Sequence, residues 1–169
     1  MSFSTPVTAA TIFLAPAPRK VREIFDESDL ARLGRLGRLI VHEDGEVSDA
    51  VFAEQAADAV IIIGQIDMPR ARLEAAKNLK AIINVEGNFL PNIDYDYAMA
   101  RGVRVLNVSP VFAEPVAEVA LGMALSLARG ISRSDRLFRQ GKELYGLAAN
   151  ENAYGLYRQK VGFIGMGDL

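Results

Sequence analysis

The chain has 169 residues, enough for one domain of ordinary size with a substantial hydrophobic core. Hydrophobic residues make up 50% of it and charged residues 24%, which is a globular composition. The absence of cysteine excludes disulfides, thiolate metal sites and a cysteine nucleophile, and a single histidine, His42, excludes a multi-histidine metal site. The net charge of -2 argues against nucleic acid or an anionic membrane as the main partner.

The first ten residues contain no lysine or arginine, unlike the basic start of a secretory signal. The longest uncharged run in a helical pattern, residues 119–128, is about half as long as a membrane span requires. We therefore expect a soluble, cytoplasmic protein.

Short apolar runs alternate with helical patterns along the chain. The runs that predict β-strands are residues 12–15, 39–42, 59–64, 79–85, 103–108 and 160–165. Helical patterns lie at residues 19–33, 48–57, 69–77 and 93–101. Several strand runs, such as AVIIIG at residues 59–64, are apolar throughout, which is typical of strands covered on both faces. This alternation predicts an α/β fold with a parallel, twisted sheet and helices on both of its faces.

The pattern changes after Pro110. Residues 115–129 begin with Pro115 near a helix start and are apolar on nearly all sides, which predicts a buried helix between two domains. Basic residues at helical spacing follow, and we interpret them as a solvated face: Arg129, Arg133, Arg136, Arg139 and Lys142. Residues 141–159 are polar and punctuated by glycine, which predicts a loop.

After the last predicted strand the chain reads Gly165-Met166-Gly167-Asp168-Leu169. These residues match the first five positions of a G-x-G-x-x-G fingerprint. The first glycine of that motif permits a tight turn, and the second lets the backbone approach a pyrophosphate. A glycine pair alone is a weak signal, because most such pairs are ordinary turns. The position directly after a strand strengthens it.

A series of sequence marks extends from about residue 78 to the end of the chain. In order they are Leu79-Lys80, Asn92-Ile93-Asp94, Arg101-Gly102-Val103, Asn107 with Pro110, Val116-Ala117-Glu118 and the terminal VGFIGMGDL. In these marks and in their order the chain resembles the D-isomer-specific 2-hydroxyacid dehydrogenase family.

The resemblance implies a flavodoxin-like substrate domain at residues 1–109. Residues 110–169 would then hold a hinge helix and the first strand of an incomplete Rossmann domain. The implied activity is hydride transfer between NAD or NADP and a small 2-hydroxy or 2-keto acid, of the phosphoglycerate or glyoxylate type. The complete enzyme would be a homodimer with its active site in the cleft between the two domains.

In that family the catalytic arginine, histidine and acidic residue follow the fingerprint, so we expect no catalytic residue in this chain. The chain alone is expected to be inactive and to bind the nicotinamide cofactor weakly or not at all. His42 precedes the turn-like Glu43-Asp44-Gly45 and is expected at the surface.

The resemblance places substrate-binding residues in the loop after the fourth strand. Glu86, Gly87 and Asn88 would line the pocket for the substrate carboxylate, with Asn88 also near the nicotinamide. The pyrophosphate of the cofactor would lie against a further set of residues: Gly165, Gly167, Asp168 and Leu169.

Four residues depart from the family pattern. Glu86, Asn88 and the bulky Phe89 stand where small residues and a second glycine are common. Glu86 would repel the substrate carboxylate unless it points away or meets a cationic group. Asp168 stands where the family often has a basic residue, and its charge would oppose the binding of phosphate.

A non-catalytic binding or regulatory module built on the same flavodoxin-like fold is the alternative. A phosphoacceptor receiver domain is excluded, because it needs acidic residues after its first strand and an aspartate at the end of its third. Here the first strand ends in Ala15-Pro16-Ala17 and the third ends in Gly64-Gln65. We expect no metal site.

Overall fold

The structure is a computed structural model that describes residues 10–165 and 167. The chain divides between Val108 and Ser109 into two compact units. Each unit is described by itself below.

The first unit alternates strands and helices. In chain order its elements are β1 (Thr11–Ala15), α1 (Glu27–Leu36), β2 (Arg38–Val41), α2 (Asp49–Val51), β3 (Ala59–Gly64), α3 (Arg70–Ala75), β4 (Ala81–Ile83), α4 (Tyr95–Ala100) and β5 (Arg104–Leu106). A 3-10 helix (Val21–Glu23) precedes α1, and a π-helical segment (Phe52–Ala56) continues α2.

The strands form one parallel sheet in the order β2-β1-β3-β4-β5. This is the strand order of the flavodoxin-like fold. The predicted α/β architecture with a flavodoxin-like parallel sheet is therefore confirmed.

Both faces of the sheet are covered by apolar residues. Phe13 of β1 and Ile62 of β3 belong to the larger core cluster on one face. Their neighbours Ile12, Leu14 and Ile63 belong to a second cluster on the other face. Successive strand residues point to opposite faces, so a continuous apolar run such as residues 59–64 supplies both clusters.

Short polar side chains set the helix starts. Asp26, Ser48 and Asp94 each accept a hydrogen bond from a backbone N–H in the first turn of the helix that follows. The Asp26 cap explains why the helical pattern predicted at residues 19–33 is divided. A 3-10 turn forms first, and α1 begins only after Asp26.

Two of the sequence marks have structural roles. Arg101 donates from its guanidinium to the carbonyl oxygens of Leu73 and Ala76, at the C-terminal end of α3. Gly102 has a φ of 74°, which lets the chain turn back so that Val103 enters the core.

The second unit contains α5 (Ser109–Arg129), α6 (Ile131–Arg139) and α7 (Gly146–Asn150). Helix α5 starts earlier than predicted and carries Pro115 in its interior. One missing N–H is therefore tolerated within a long helix, and the proline does not mark the helix start. Helix α7 lies inside the segment predicted as a loop.

Helix α5 has 21 residues and a mean hydropathy of 1.5, so by length and composition it could cross a membrane. The uncharged run at residues 119–128 does not predict a helix of this length, because it covers only the second half of α5, which begins at Ser109. A helix that packs between domains of a globular protein meets the same requirement.

The burial predicted for α5 is wrong for the described residues. The apolar side chains along it are exposed or partly exposed, and Ala128 alone on this helix is buried. Within its own unit α6 packs against it, and α6 is too polar to cover an apolar helix. The basic face predicted for α6 is confirmed, because Arg133, Arg136 and Arg139 are exposed.

The strand predicted at residues 160–165 is absent. These residues belong to no strand, and Val161, Phe163 and Ile164 are exposed. A strand needs a neighbour to accept its backbone hydrogen bonds, and the described part of the second unit contains only helices and loops.

Candidate functional site

The candidate site lies at the carboxyl edge of the sheet. Because β1, β3 and β4 are parallel and adjacent, the loops that follow them meet at the same edge. Arg19, Gln65 and Glu86 lie in these three loops. In open α/β sheets this edge is where ligands bind.

Arg19 and Glu86 form a bidentate ion pair across this edge. The Arg19 Nε atom lies 2.6 Å from Glu86 Oε1, and Nη2 lies 3.1 Å from Oε2. The side chains are 40% and 30% exposed, respectively. The hydrogen bond from the guanidinium to Glu86, together with the charge of that carboxylate, raises the pKa of Arg19 above its usual value. Glu86 therefore does meet a cationic group.

The backbone at the start of the loop has hydrogen bonds besides this ion pair. The Glu86 N–H donates to Gln65 Oε1 at 3.3 Å, and the Val108 N–H donates to the Glu86 carbonyl oxygen at 3.4 Å. The Asn84 N–H donates to the Leu106 carbonyl oxygen at 2.8 Å. Strands β3, β4 and β5 thus fix the place at which the loop leaves the sheet.

Several polar atoms near the strand ends are buried without a hydrogen-bond partner among residues 10–165 and 167. Asn84 is fully buried, and neither its amide nitrogen nor its amide oxygen is paired. Gln65 Nε2 is also unpaired. The burial of an unpaired amide is costly, so Asn84 and Gln65 lower the stability of the sheet edge from which the loop leaves.

The next residues of the loop turn outward. Gly87 is partly buried, whereas Asn88 and Phe89 are exposed. The Phe89 ring lies edge-on to Tyr95 of α4 at 5.9 Å between ring centroids. The bulky residue that departs from the family pattern is thus accommodated against α4.

Our expectation that His42 lies at the surface is wrong. His42 is buried directly after β2, and its ring stacks on Phe13 at 6.3 Å between centroids. Its N–H donates to the Leu14 carbonyl oxygen and extends the pairing of β2 with β1. This continued pairing places the imidazole inside, where Nε2 has no partner among the described residues.

Two of the predicted cofactor residues, Gly165 and Gly167, lie in the described part of the chain. Gly165 has a φ of 83°, as a tight glycine turn requires, and Gly167 is exposed. Among the described residues no strand leads into Gly165, and a role of these two glycines at a pyrophosphate stays a prediction. Asp168 and Leu169 lie outside the described residues.

Two further features of the described residues bear on the site. They contain no cluster of three or more metal-ligating side chains. The second unit has an open cleft of about 480 Å³ beside α6, lined by Arg133, Asp135, Phe138 and Tyr145 among others. None of the predicted site residues lies in this cleft.

Sequence reasoning missed Arg19 and Gln65. The available signal was their position, since each follows a predicted strand and the ends of parallel strands share an edge. The outcome for the site is mixed. The structure brings Glu86 together with Arg19 and Gln65, keeps Gly87 and Asn88 in the same loop, and leaves Gly165 and Gly167 in the second unit.

Comparison with known proteins agrees with this fold. Residues 12–161 match the family model described as the D-isomer specific 2-hydroxyacid dehydrogenase, catalytic domain. The chain belongs to this family.

Individual relatives carry the names of reductases and oxidoreductases. The hydroxypyruvate reductase of Thermotoga maritima is 34% identical over 113 residues, which cover 66% of this chain and 35% of the relative. A crystal structure of a phosphoglycerate oxidoreductase from Rhizobium etli is 35% identical with a TM-score of 0.70, and the match covers 94% of this chain and 49% of that one.

A third similar structure shares the fold. It is an NADPH-dependent glyoxylate/hydroxypyruvate reductase from Sinorhizobium meliloti in complex with NADP and malonate, 22% identical, with a TM-score of 0.60 over 95% of this chain and 47% of that one. The chain thus spans about a third of the length of the curated relative and about half of each solved structure.

Proposed function

We propose that residues 1–109 form the substrate domain of an NAD(P)-dependent D-2-hydroxyacid dehydrogenase and that residues 110–169 begin its nucleotide-binding domain. The observation that carries the proposal is the loop at residues 86–88, at the carboxyl edge of β4 in a flavodoxin-like sheet. The match to the family's catalytic domain over residues 12–161 supports it.

In this proposal the chain binds and orients the substrate. Glu86, Gly87 and Asn88 line the pocket for the carboxylate of a small 2-hydroxy or 2-keto acid, and Asn88 also lies near the nicotinamide. The N–H of Glu86 is already bonded to Gln65, so it holds the loop in shape. The cofactor, NAD or NADP, supplies hydride chemistry in the complete enzyme.

The names of the relatives support glyoxylate, hydroxypyruvate and phosphoglycerate as the candidate substrate types. We propose a cytoplasmic homodimer for the complete enzyme. We also propose that the 169-residue chain has no turnover of its own. Its single histidine, His42, is buried against Phe13 and is not available for proton transfer at the loop.

A chimera tests the proposal. Residues 10–161 replace their counterpart in the Rhizobium etli phosphoglycerate oxidoreductase, which matches 94% of this chain. We expect the chimera to oxidise NADH or NADPH in the presence of glyoxylate or hydroxypyruvate, and the 169-residue chain alone not to do so. The unmodified Rhizobium etli protein is the positive control.

Two results would contradict the proposal. Turnover by the homogeneous 169-residue chain would show that it carries catalytic residues of its own. A chimera that has a native circular dichroism spectrum and binds cofactor, yet has no turnover, would favour the alternative of a non-catalytic binding module.

A further inference from the structure

The loop that we assign to the substrate carboxylate carries a carboxylate itself. Glu86 is 30% exposed, so its charge lies at the surface of the loop. Two negative groups this close repel each other, and an anionic ligand would bind the loop poorly if Glu86 were uncompensated. A loop that binds a substrate carboxylate therefore needs a group that compensates the charge of Glu86.

We propose that Arg19 is a positioning residue that neutralises Glu86 and turns its carboxylate away from the anion-binding backbone of the loop. This inference rests on the proposed function of the loop. It adds that anionic substrates depend on a residue of the β1 loop, 67 positions away in sequence.

The geometry supports a fixed orientation for the Glu86 side chain. Both carboxylate oxygens are engaged by Arg19, at 2.6 and 3.1 Å, in the fork arrangement that defines the direction of both groups. A guanidinium is charged at any pH at which the protein is folded, and the ion pair with Glu86 raises the pKa of Arg19 further.

The backbone of Glu86 has hydrogen bonds besides the ion pair with Arg19. Gln65 holds the Glu86 N–H, and the Val108 N–H holds the Glu86 carbonyl oxygen. Removal of Arg19 should therefore release the carboxylate while the backbone stays in place. This separation lets the charge effect be measured apart from a structural one.

The experiment is a titration of the ¹⁵N-labelled 169-residue chain with glyoxylate, followed at the backbone amides of Gly87 and Asn88 by NMR. The variants are Arg19→Ala, Arg19→Lys, Glu86→Gln and the double variant Arg19→Ala with Glu86→Gln. We expect Arg19→Ala to weaken glyoxylate binding by about three- to tenfold, as for a partly exposed charge. Arg19→Lys should weaken glyoxylate binding less than Arg19→Ala does, because lysine keeps the positive charge.

The double variant distinguishes charge compensation from a structural role. It lacks both charges, so we expect it to bind glyoxylate about as tightly as the unmodified chain. Glu86→Gln alone should bind glyoxylate at least as tightly. Glycolaldehyde, which has no carboxylate, should show no difference among the variants.

Clear outcomes would overturn the inference. They are equal binding by Arg19→Ala and the unmodified chain, a double variant as weak as Arg19→Ala, or weaker binding by Glu86→Gln. If the unmodified chain shows no shift at Gly87 or Asn88, the inference fails together with the carboxylate pocket. Turnover by the chimera would then show that the family activity survives with the carboxylate bound elsewhere.

Discussion

Arg72 shows how one side chain connects separate parts of the first unit. Its side chain is 12% exposed, and it donates to Asp49 Oδ1 at 2.6 and 2.8 Å and to the carbonyl oxygens of Val47 and Asp67 at 2.8 and 2.9 Å. The guanidinium also lies over the Phe52 ring. Helix α3 is thereby tied to the start of α2 and to the loop after β3.

Replacement of Arg72 should therefore destabilise the protein. We expect Arg72→Ala to lower the free energy of unfolding by about 2–3 kcal/mol, because Asp49 and the carbonyl oxygens of Val47 and Asp67 lose a charged donor. The free energy of unfolding of Arg72→Lys should lie between those of Arg72→Ala and the unmodified protein. Lysine keeps the positive charge but lacks the planar group that donates in several directions. Urea denaturation followed by circular dichroism measures both. As a control, Arg32→Ala removes an exposed ion pair with Asp29 and should cost about 0.5 kcal/mol or less. Equal stability of Arg72→Lys and the unmodified protein would contradict the role of the fork.

Gly64 is required where β3 ends beside β1. Its φ is 151°, and a Cβ at this position would lie 2.0 Å from the carbonyl oxygen of Ala15. That oxygen belongs to the strand backbone, so it cannot move aside cheaply.

We expect Gly64→Ala to lower the free energy of unfolding by about 2 kcal/mol or more, because backbone strain and a steric clash act together. Gly34→Ala is the matched control. Gly34 lies within α1 with open space around it. Alanine at this position should raise the free energy of unfolding by about 0.5–1 kcal/mol. Urea unfolding of both variants measures the contrast. Equal effects of the two substitutions would show that the close approach of β1 and β3 is not a constraint.

At the scale of elements, α1 depends on the charge of its cap. Asp26 accepts a hydrogen bond from the Asp29 N–H at 2.8 Å. This bond, with a further one from Ser28, holds the pKa of Asp26 below its usual value. Because the pKa is lower in the folded state, the stabilisation is complete above the unfolded pKa of about 3.9 and is lost as the pH falls through the folded pKa.

Asp26→Asn isolates this charge effect, since asparagine caps a helix about as well as aspartate does. At neutral pH we expect the unmodified protein to be more stable than the variant, because a negative charge at a helix N-terminus is favourable. Below about pH 3.9 the difference should shrink towards zero as Asp26 is protonated. Urea unfolding at a series of pH values measures it. A difference that is independent of pH would assign the effect to geometry alone.

The elements differ in how well the sequence predicts them. The strand at residues 59–64 is predicted at its observed bounds, because its apolar run is bounded by polar residues and Gly64. Strand β4 spans only residues 81–83 of the predicted 79–85, since its pairing with β3 and β5 is that short. The apolar run at residues 160–165 forms no strand, because apolar character does not supply a hydrogen-bonding neighbour.

The candidate site is predicted only in part for a related reason. The resemblance to a family points to the loop at residues 86–88. The partner of Glu86 depends on strand order, which places the β1 loop near the β4 loop. A pair separated by 67 residues leaves no periodic signal in the sequence. The requirement for a cationic group near Glu86 follows from its charge, whereas the identity of that group needs the fold.

At the scale of the whole molecule, the exposed face of α5 should govern behaviour in solution. Val119, Met123 and Leu127 are 60%, 64% and 76% exposed and lie four residues apart on one side of the helix. A contiguous apolar stripe of this kind favours association. We expect the weight-average mass of the chain in sedimentation equilibrium to rise above 18.4 kDa as its concentration increases. Replacement of the three residues by glutamine should reduce the association, because glutamine is polar and keeps good helix propensity. Glutamine at Arg133, Arg136 and Arg139 on α6 is the control and should leave the association unchanged. A monomeric mass for the unmodified chain at all concentrations would contradict this prediction.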